Sequence, residues 1–271
     1  MGKIRAICVS ERRGTKKHEV LQAELKEKWG IVGDAHAGDW HRQVSLLSQE
    51  KIEEFRSKGA DIAYGDFGEN LVVEGFDLAA LPTGTRLKIG SVVLEVTQIG
   101  KECHSHCEIY RRMGECIMPR EGIFARVLHS GRIEKGDEVE HIPAEGRRPY
   151  TAAVITLSDK GYAGEREDQS GPTARKMLLE DGYEVVEMLI LPDEQEMLEH
   201  ELKRLADSRQ VQLILTTGGT GFSKRDITPE ATIAVCDRMA RGIAEAIRAY
   251  SMTITKRAML SRGESGIRKG T

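Results

Sequence analysis

No apolar run in this chain approaches the ~20 residues that a membrane-spanning helix needs, and the amino-terminal "MGKIRAICVSERRG" has no long apolar stretch of the kind that marks a secretory signal. Positive charge is not in excess: the formal net charge is −3, and neither half is rich in Lys and Arg over Asp and Glu. A nucleic-acid partner is therefore not expected, and any anion site must be local. Cysteine is sparse and odd in number, five in all. With no membrane or export signal the expected location is the cytoplasm, where thiols stay reduced, which argues against a disulfide staple. Internal repeats and low-complexity tracts are also missing.

What is present fits a globular chain, with 39% hydrophobic and 31% charged residues. At 271 residues two domains are the better expectation. The break falls in "HIPAEGRRPYT" (141–151), where two prolines, a glycine and two arginines separate a strand-like run from a new apolar one. The reading is a first domain over 1–143, a linker over 144–150 and a second domain over 151–271.

The first domain is punctuated by glycine and rich in strand patterns: 3–10, 70–75, 85–90, 91–100 and 122–131. One helix is expected from Ser48 to about Lys58, with Ile52 and Phe55 on one face. Many short strands with few helices suggest a β-barrel-like fold. The second domain alternates: strands at 151–158, 183–192 and 211–217, and helices at 170–182, 193–208 and 228–239. Ser170 or Gly171 is the expected cap of the first of these helices, with Pro172 at its first position. Asp193 and Glu196 have capping-box spacing for the second. Alternation of this kind is the pattern of a doubly wound α/β sheet, whose ligands bind outside the carboxyl ends of the strands.

The strongest chemical signal is "TTGGTGFSKRDITPE" (216–230). Three glycines in four residues follow a buried strand, which lets backbone amides approach an anion closely. Thr216, Thr217 and Thr220 add hydroxyls, Lys224 and Arg225 add charge, and Asp226 could hold a metal. The plain alternative is a glycine-rich turn. "SDKG" (158–161), "EDQSG" (167–171) and "PDEQ" (192–195) sit at equivalent strand ends. Carboxylates beside phosphates call for Mg2+, which takes one or two carboxylates plus phosphate oxygens. For Asp193 alone a plain helix cap is the alternative, and for Asp159 a turn residue.

"TLSDKG", "EDQSGP", "LPDEQ", "TTGGTGFSKRDITPEAT" and "MLSRGESGIRKGT" together resemble the molybdopterin adenylyltransferase family of molybdenum-cofactor biosynthesis, over about residues 151–271. The resemblance implies a homo-oligomer, usually a trimer, that joins molybdopterin and ATP into adenylylated molybdopterin and pyrophosphate with Mg2+. Carried over by motif, Asp193 and Asp226 match the family's critical aspartates, as catalytic and metal-binding residues. Thr217, Gly218, Gly219, Thr220 and Gly221 match its nucleotide and pterin loop. Ser158, Asp159, Asp168 and Ser170 match its first-strand edge, and Ser261 and Arg262 its late pterin-side motif. Family members continue past "GIRKGT" with a strand, a loop and a helix. The sequence here ends at Thr271, so the expected fold is truncated at its C-terminus, and weaker and less stable than one with those elements.

In the first half, "GIVGDAHAGDWHRQVSLLSQE" (30–50) and the run from "YGDFGENL" (64–71) to Cys103 and His104 resemble the MOSC domain, named for molybdenum-cofactor sulfurase C-termini. This implies a strand-rich fold that binds molybdenum cofactor or carries sulfur on one cysteine, working with other molybdenum-cofactor enzymes. His36 and His41 flank a glycine-rich turn followed by Arg42; the turn could hold the pterin phosphate with the histidines orienting it, His36 being the cofactor-binding candidate, while a structural hydrogen bond from the loop is the alternative for each and the favoured reading for His41. Glu69 and Asn70 read as partners for turn amides. "GKECHSHCEIYRRMGEC" (100–116) holds Cys103, Cys107 and Cys116 with His104 and His106. A zinc module is one reading, but a structural zinc takes four ligands and no second matched pair exists. The favoured reading is one working thiol, Cys107, with Cys103 beside it in the cofactor site. Cys8 and Cys236 lie in apolar patterns and read as core residues. The chain thus reads as a bifunctional enzyme of molybdenum-cofactor synthesis, with a non-catalytic cofactor-binding or delivery protein as the alternative.

Overall fold

A computed structural model describes residues 1–101, 108–142 and 149–271. It divides into two compact units, Met1–Arg147 and Arg148–Thr271. The linker expected over 144–150 lies mostly outside the described residues.

The first unit runs β1 (Gly2–Val9), β2 (His18–Val20), β3 (Gln22–Lys26), β4 (Gly30–Ile31), β5 (Val44–Ser48), α1 (Gln49–Ser57), β6 (Leu71–Glu74), β7 (Arg86–Ile89), β8 (Val92–Ile99), α2 (Glu108–Met113), α3 (Met118–Glu121), β9 (Ile123–His129), β10 (Gly131–Glu134) and β11 (Glu138–Ile142). Seven strands pair in the order β11-β7-β8-β9-β5-β6-β1, and β1 closes the ring by pairing Gly2 with Val139 and Lys3 with Glu138. All these pairs are antiparallel except β5 with β6. Closure leaves the ring without a free edge. The two-residue side-chain period then sorts the apolar residues into two cores. Leu46, Leu71, Val73, Leu94 and Ala125 point inward with Ile4 and Leu87. Leu47, Val72 and Phe124 face outward and are covered by Ile52 and Phe55 of α1, as expected from the spacing of those two residues, and by Ile109 and Met118. β3, β4 and β10 form a separate three-stranded sheet that the sequence patterns did not announce.

The second unit runs β12 (Thr151–Leu157), α4 (Asp159–Tyr162), α5 (Ser170–Glu180), β13 (Glu184–Leu191), α6 (Gln195–Lys203), β14 (Leu213–Thr217), α7 (Thr228–Val235), β15 (Arg238–Met239), α8 (Arg241–Met252) and β16 (Gly266–Ile267). β12 lies between β13 and β14, and all three are parallel. Ala152 and Val154 of β12 pack toward Leu178 of α5. Ala153, Ile155 and Leu157 pack on the other face against Leu198 and Leu202 of α6 and Ala231 and Val235 of α7. Helices therefore cover both faces, as a parallel sheet requires. From β12 the chain moves outward to β13, then crosses back over β12 to β14. The strand order reverses at β12, and crevices open at such reversals.

Several boundaries differ from expectation. α6 gives way to a wider-wound turn at Arg204–Ser208, and α7 stops at Val235 before the β15–β16 ribbon. α5 begins at Ser170, and its first amides are held by Asp168 rather than by Ser170 or Gly171: the Asp168 carboxylate accepts from Ser170 N at 3.0 Å and Gly171 N at 3.1 Å. The Asp193–Glu196 capping box does not form, since α6 is preceded by Glu194 with no side-chain cap. Asp193 is turned to the neighbouring strand end instead. α8 had no counterpart in the sequence patterns.

Candidate functional site

At the carboxyl ends of β12, β13 and β14, three short segments converge. Ser158 follows β12; its Oγ accepts from Gly161 N at 3.0 Å and starts α4. Asp159 and Asp193 grip each other reciprocally: Asp159 N donates to Asp193 Oδ2 at 3.1 Å, and Asp193 N donates to Asp159 Oδ1 at 3.0 Å. Arg225, from the third segment, donates through Nε to Asp159 Oδ2 at 3.1 Å and through Nη2 to Oδ1 at 2.7 Å, and through Nη1 to Glu194 at 2.6 Å.

The third segment is the glycine turn. Gly218 and Gly219 have φ of +93° and +60°, and a Cβ on Gly218 would lie 2.2 Å from the Leu157 carbonyl oxygen. Neither position accepts a side chain without strain. Gly218 O accepts from Thr228 Oγ1 at 2.9 Å and Gly219 O from Thr228 N at 3.1 Å. In a trans peptide the N–H points opposite its C=O, so tying these carbonyls to the start of α7 turns the following amides away from it. Among the described residues the N–H groups of Gly219, Thr220 and Gly221 donate to no acceptor. Successive free amides of this kind form a concavity for an anion. Arg262 secures the turn: Nε donates to Gly221 O and Nη2 to Asp226 O, each at 2.6 Å, and the guanidinium also pairs with Glu230. Ser261 Oγ lies 3.5 Å from Thr220 Oγ1.

Burial raises the pKa of Asp193. The Asp159 amide works against that shift, and the charges of Asp159 and Asp226 add to it. Asp159 is held below its ordinary range by Arg225 and then by the Asp193 amide. Asp226 Oδ2 accepts from Ser223 N at 2.8 Å. Asp193 Oδ1 and Asp226 Oδ1 receive no hydrogen bond among the described residues. They lie 3.2 Å and 3.9 Å from where side chains would start on Gly219 and Gly221, so both carboxylates line the glycine turn. Two open carboxylate oxygens beside unpaired amides fit a divalent cation shared with a phosphate. Among the described residues no group of three or more His, Cys, Asp or Glu is placed to hold a metal ion, so two carboxylates are what the protein itself offers.

Asp168 and Ser170 belong to the same edge but not to this cluster. Thr156 Oγ1 donates to Asp168 Oδ2 at 2.8 Å, so both Asp168 oxygens are engaged in holding the α5 start. Thr217 ends β14 opposite Thr156. The geometry thus joins Ser158, Asp159, Asp193, Gly218–Gly221, Asp226, Ser261 and Arg262. Sequence reasoning named Arg225 only as added charge and passed over Thr156; a lone Arg in a turn carries no spacing signal for partners 66 and 31 residues away.

In the first unit the turn around His36 is built on a buried ion pair. Lys17 Nζ donates to Asp34 Oδ1 at 2.5 Å, and each side chain is 1% exposed. Asp34 also accepts from Ser10 N at 2.9 Å and His36 N at 3.1 Å. Burial works to raise the Asp34 pKa, but hydrogen bonds from His36, Lys17 and Ser10 outweigh it and hold the carboxyl well below its usual range. Burial likewise pulls Lys17 down against the pull of Asp34. The His36 ring, half-buried, places Nδ1 3.4 Å from Lys17 Nζ. His41 bonds Gln98 Oε1 at 3.0 Å, the structural role expected of it. Glu69 accepts from Gly65 N at 2.7 Å, and Asn70 ties the backbones of Ser45 and Cys8, so both serve the backbone. Cys8 is buried, and burial first and then Glu69 push its thiol up to about 12, which keeps it inert. Cys116 and Cys236 are half-buried. Cys103 and Cys107, with His104 and His106, lie outside the described residues.

Residues 153–270 match the family model described as a probable molybdopterin binding domain, and residues 33–140 match the MOSC domain model. The molybdopterin adenylyltransferase of Haemophilus influenzae is 42% identical over 119 residues, which is 43% of this chain and 60% of that protein. That of Helicobacter pylori strain J99 is 40% identical over 122 residues, 42% of this chain and 66% of that protein. The chain therefore spans less than two thirds of these curated relatives. The solved structure of the molybdopterin biosynthesis enzyme MoaB from Thermus thermophilus is 41% identical, with 44% of this chain and 75% of that chain covered and a TM-score of 0.42.

Proposed function

From a chain whose residues 153–270 belong to the probable molybdopterin binding domain family and whose residues 33–140 form a MOSC domain, we propose that the second unit is a molybdopterin adenylyltransferase. The observation that carries this reading is the glycine turn with three unpaired amides beside two open carboxylates. In the reaction, an oxygen of the molybdopterin phosphate bonds to the α-phosphorus of ATP as the bond to pyrophosphate breaks. Such transfers need positioning and charge neutralisation more than covalent help. The amides of Gly219, Thr220 and Gly221 hold phosphate oxygens, and the Thr220 and Ser261 hydroxyls sit at the same rim. Asp193 and Asp226 would hold Mg2+, which when bound neutralises charge on the phosphates. Arg262 keeps the turn in shape through its carbonyl contacts.

The first unit, in the same reading, binds the molybdenum cofactor at the His36 turn or carries sulfur on Cys107, with Cys103 as its neighbour. The firmness of that turn, set on the buried Lys17–Asp34 pair, supports a binding role. A persulfide on Cys107 of the intact chain, found by mass spectrometry after incubation with a persulfide donor that passes on its outer sulfur and leaves as the thiol, is the result expected of a carrier.

The test of the adenylyltransferase reading is pyrophosphate release from ATP that depends on molybdopterin. Asp193→Asn and Asp226→Asn should each lower the rate by roughly 10²–10³-fold, the usual scale for removing one electrostatic contact to a transition state. Wild-type chain that binds molybdopterin but releases no pyrophosphate would favour the delivery-protein alternative.

A further inference from the structure

The phosphate-loop edge carries four carboxylates within one constellation, Asp159, Asp193, Glu194 and Asp226, yet they are not equivalent. Asp159 is saturated: Oδ1 accepts from Arg225 Nη2 and from Asp193 N, and Oδ2 accepts from Arg225 Nε. Glu194 accepts from the same guanidinium. Asp193 and Asp226 each accept a single backbone hydrogen bond and keep one oxygen open. Arg225 reaches from the glycine-turn segment to the segments after β12 and β13, so one side chain joins all three strand ends. An exposed ion pair of this kind adds little to stability. Its weight lies in where it leaves uncompensated negative charge.

We propose that Arg225 is a positioning residue that decides which carboxylates of this edge stay open to a ligand, closing Asp159 and Glu194 and leaving Asp193 and Asp226. The fork of a guanidinium suits this task, because three of its N–H groups meet two carboxylates in fixed directions, which a lysine ammonium does not reproduce. Without Arg225, Asp159 would become an uncompensated carboxylate beside that of Asp193. Such a cluster binds divalent cations more tightly but in a different place, and it repels the phosphates that must share the cation.

The inference rests on the adenylyltransferase reading only in its activity arm. The first arm needs no activity: Mn2+ alone is titrated into the intact chain, with free Mn2+ followed by electron paramagnetic resonance. Arg225→Gln is expected to bind Mn2+ about fivefold or more tightly than wild type, and Arg225→Lys to fall between the two. The double variant Asp159→Asn/Arg225→Gln is expected to return to near the wild-type value, which a merely mechanical cross-link would not do. Affinities of wild type and Arg225→Gln within twofold overturn the proposal. So do a double variant that binds as tightly as Arg225→Gln, and an absence of binding in every form. In the second arm, Arg225→Gln should lower kcat/KM for ATP about tenfold, with partial recovery in the double variant; no recovery also overturns the proposal. A wild-type chain without pyrophosphate release sinks the adenylyltransferase reading alone, and the Mn2+ titration still decides the role of Arg225.

Discussion

Glu69 is fully buried, and its two carboxyl oxygens are treated unequally: Oε1 accepts from Gly65 N at 2.7 Å, while Oε2 is buried with no hydrogen-bond partner among the described residues. Burial raises its pKa from 4.5 to about 7, opposed by the Gly65 amide and assisted by the charge of Asp66. The folded protein therefore holds this proton to higher pH than the unfolded chain does. Stability from this source is complete below about pH 4.5, falls as the unfolded chain ionises, and levels off above about pH 7. At ~1.36 kcal/mol for each tenfold change in proton affinity, the loss across that window is about 3 kcal/mol. Glu69→Gln removes the titration. It keeps an acceptor for Gly65 N and replaces an unpartnered carboxyl O–H by an unpartnered amide NH2, a change that does not depend on pH. The variant is thus expected to gain about 3 kcal/mol relative to wild type between pH 4.5 and pH 8.5. Urea denaturation read by tryptophan fluorescence isolates the relevant unit, because both tryptophans, Trp29 and Trp40, lie in the first one. Every other titrating group, Asp34 included, is common to both proteins and cancels in the difference. A difference that stays constant to within about 0.5 kcal/mol from pH 4.5 to 8.5 would falsify the assignment of a displaced, unpaired carboxyl.

Asp34→Asn leaves the Lys17 ammonium buried without its counter-charge, and should destabilise the first unit by about 3–5 kcal/mol in the same fluorescence assay. Gly218→Ala combines a left-handed backbone with a Cβ 2.2 Å from the Leu157 carbonyl; a loss of about 2 kcal/mol or more in thermal unfolding is expected. Gly221→Ala has no positive φ and meets only the Asp226 side chain, so the damage there should be smaller; equal losses would contradict the geometry.

The second unit was more legible in the sequence than the first, and topology explains why. In a parallel sheet each strand is followed by a helix on the next stretch of chain, so strand, strand-end residues and helix start are consecutive letters. Ser158–Asp159, Pro192–Asp193 and Gly218–Asp226 could be assigned to one edge because every parallel strand ends on the same side. What those letters did not encode is pairwise contact across the edge. The Asp193 carboxylate reads as a helix cap by spacing, yet it is turned to the amide of Asp159, 34 residues earlier. Arg225 is indistinguishable by sequence from Lys224, and only the structure shows it joining all three strand ends.

The barrel reverses this relation. Its strands are short and its closure depends on pairing the first strand with the last, Gly2 with Val139, which no local pattern specifies. The small sheet of β3, β4 and β10 pairs residues more than one hundred positions apart, Leu25 with Gly131. The polar centre of this unit is assembled the same way. Lys17 lies in a stretch of charged residues that reads as solvated surface, and it becomes a buried ion pair only because Ser10, Asp34 and His36 are folded over it. Such a pair contributes little stability compared with apolar residues of the same shape. Its value here is geometric: the Asp34 carboxylate fixes two backbone amides at once, so the His36 turn has one arrangement rather than several. In the first unit, then, sequence reasoning reached His36 but not the Lys17, Asp34 and Ser10 that hold its turn, because that arrangement exists only through contacts the fold makes.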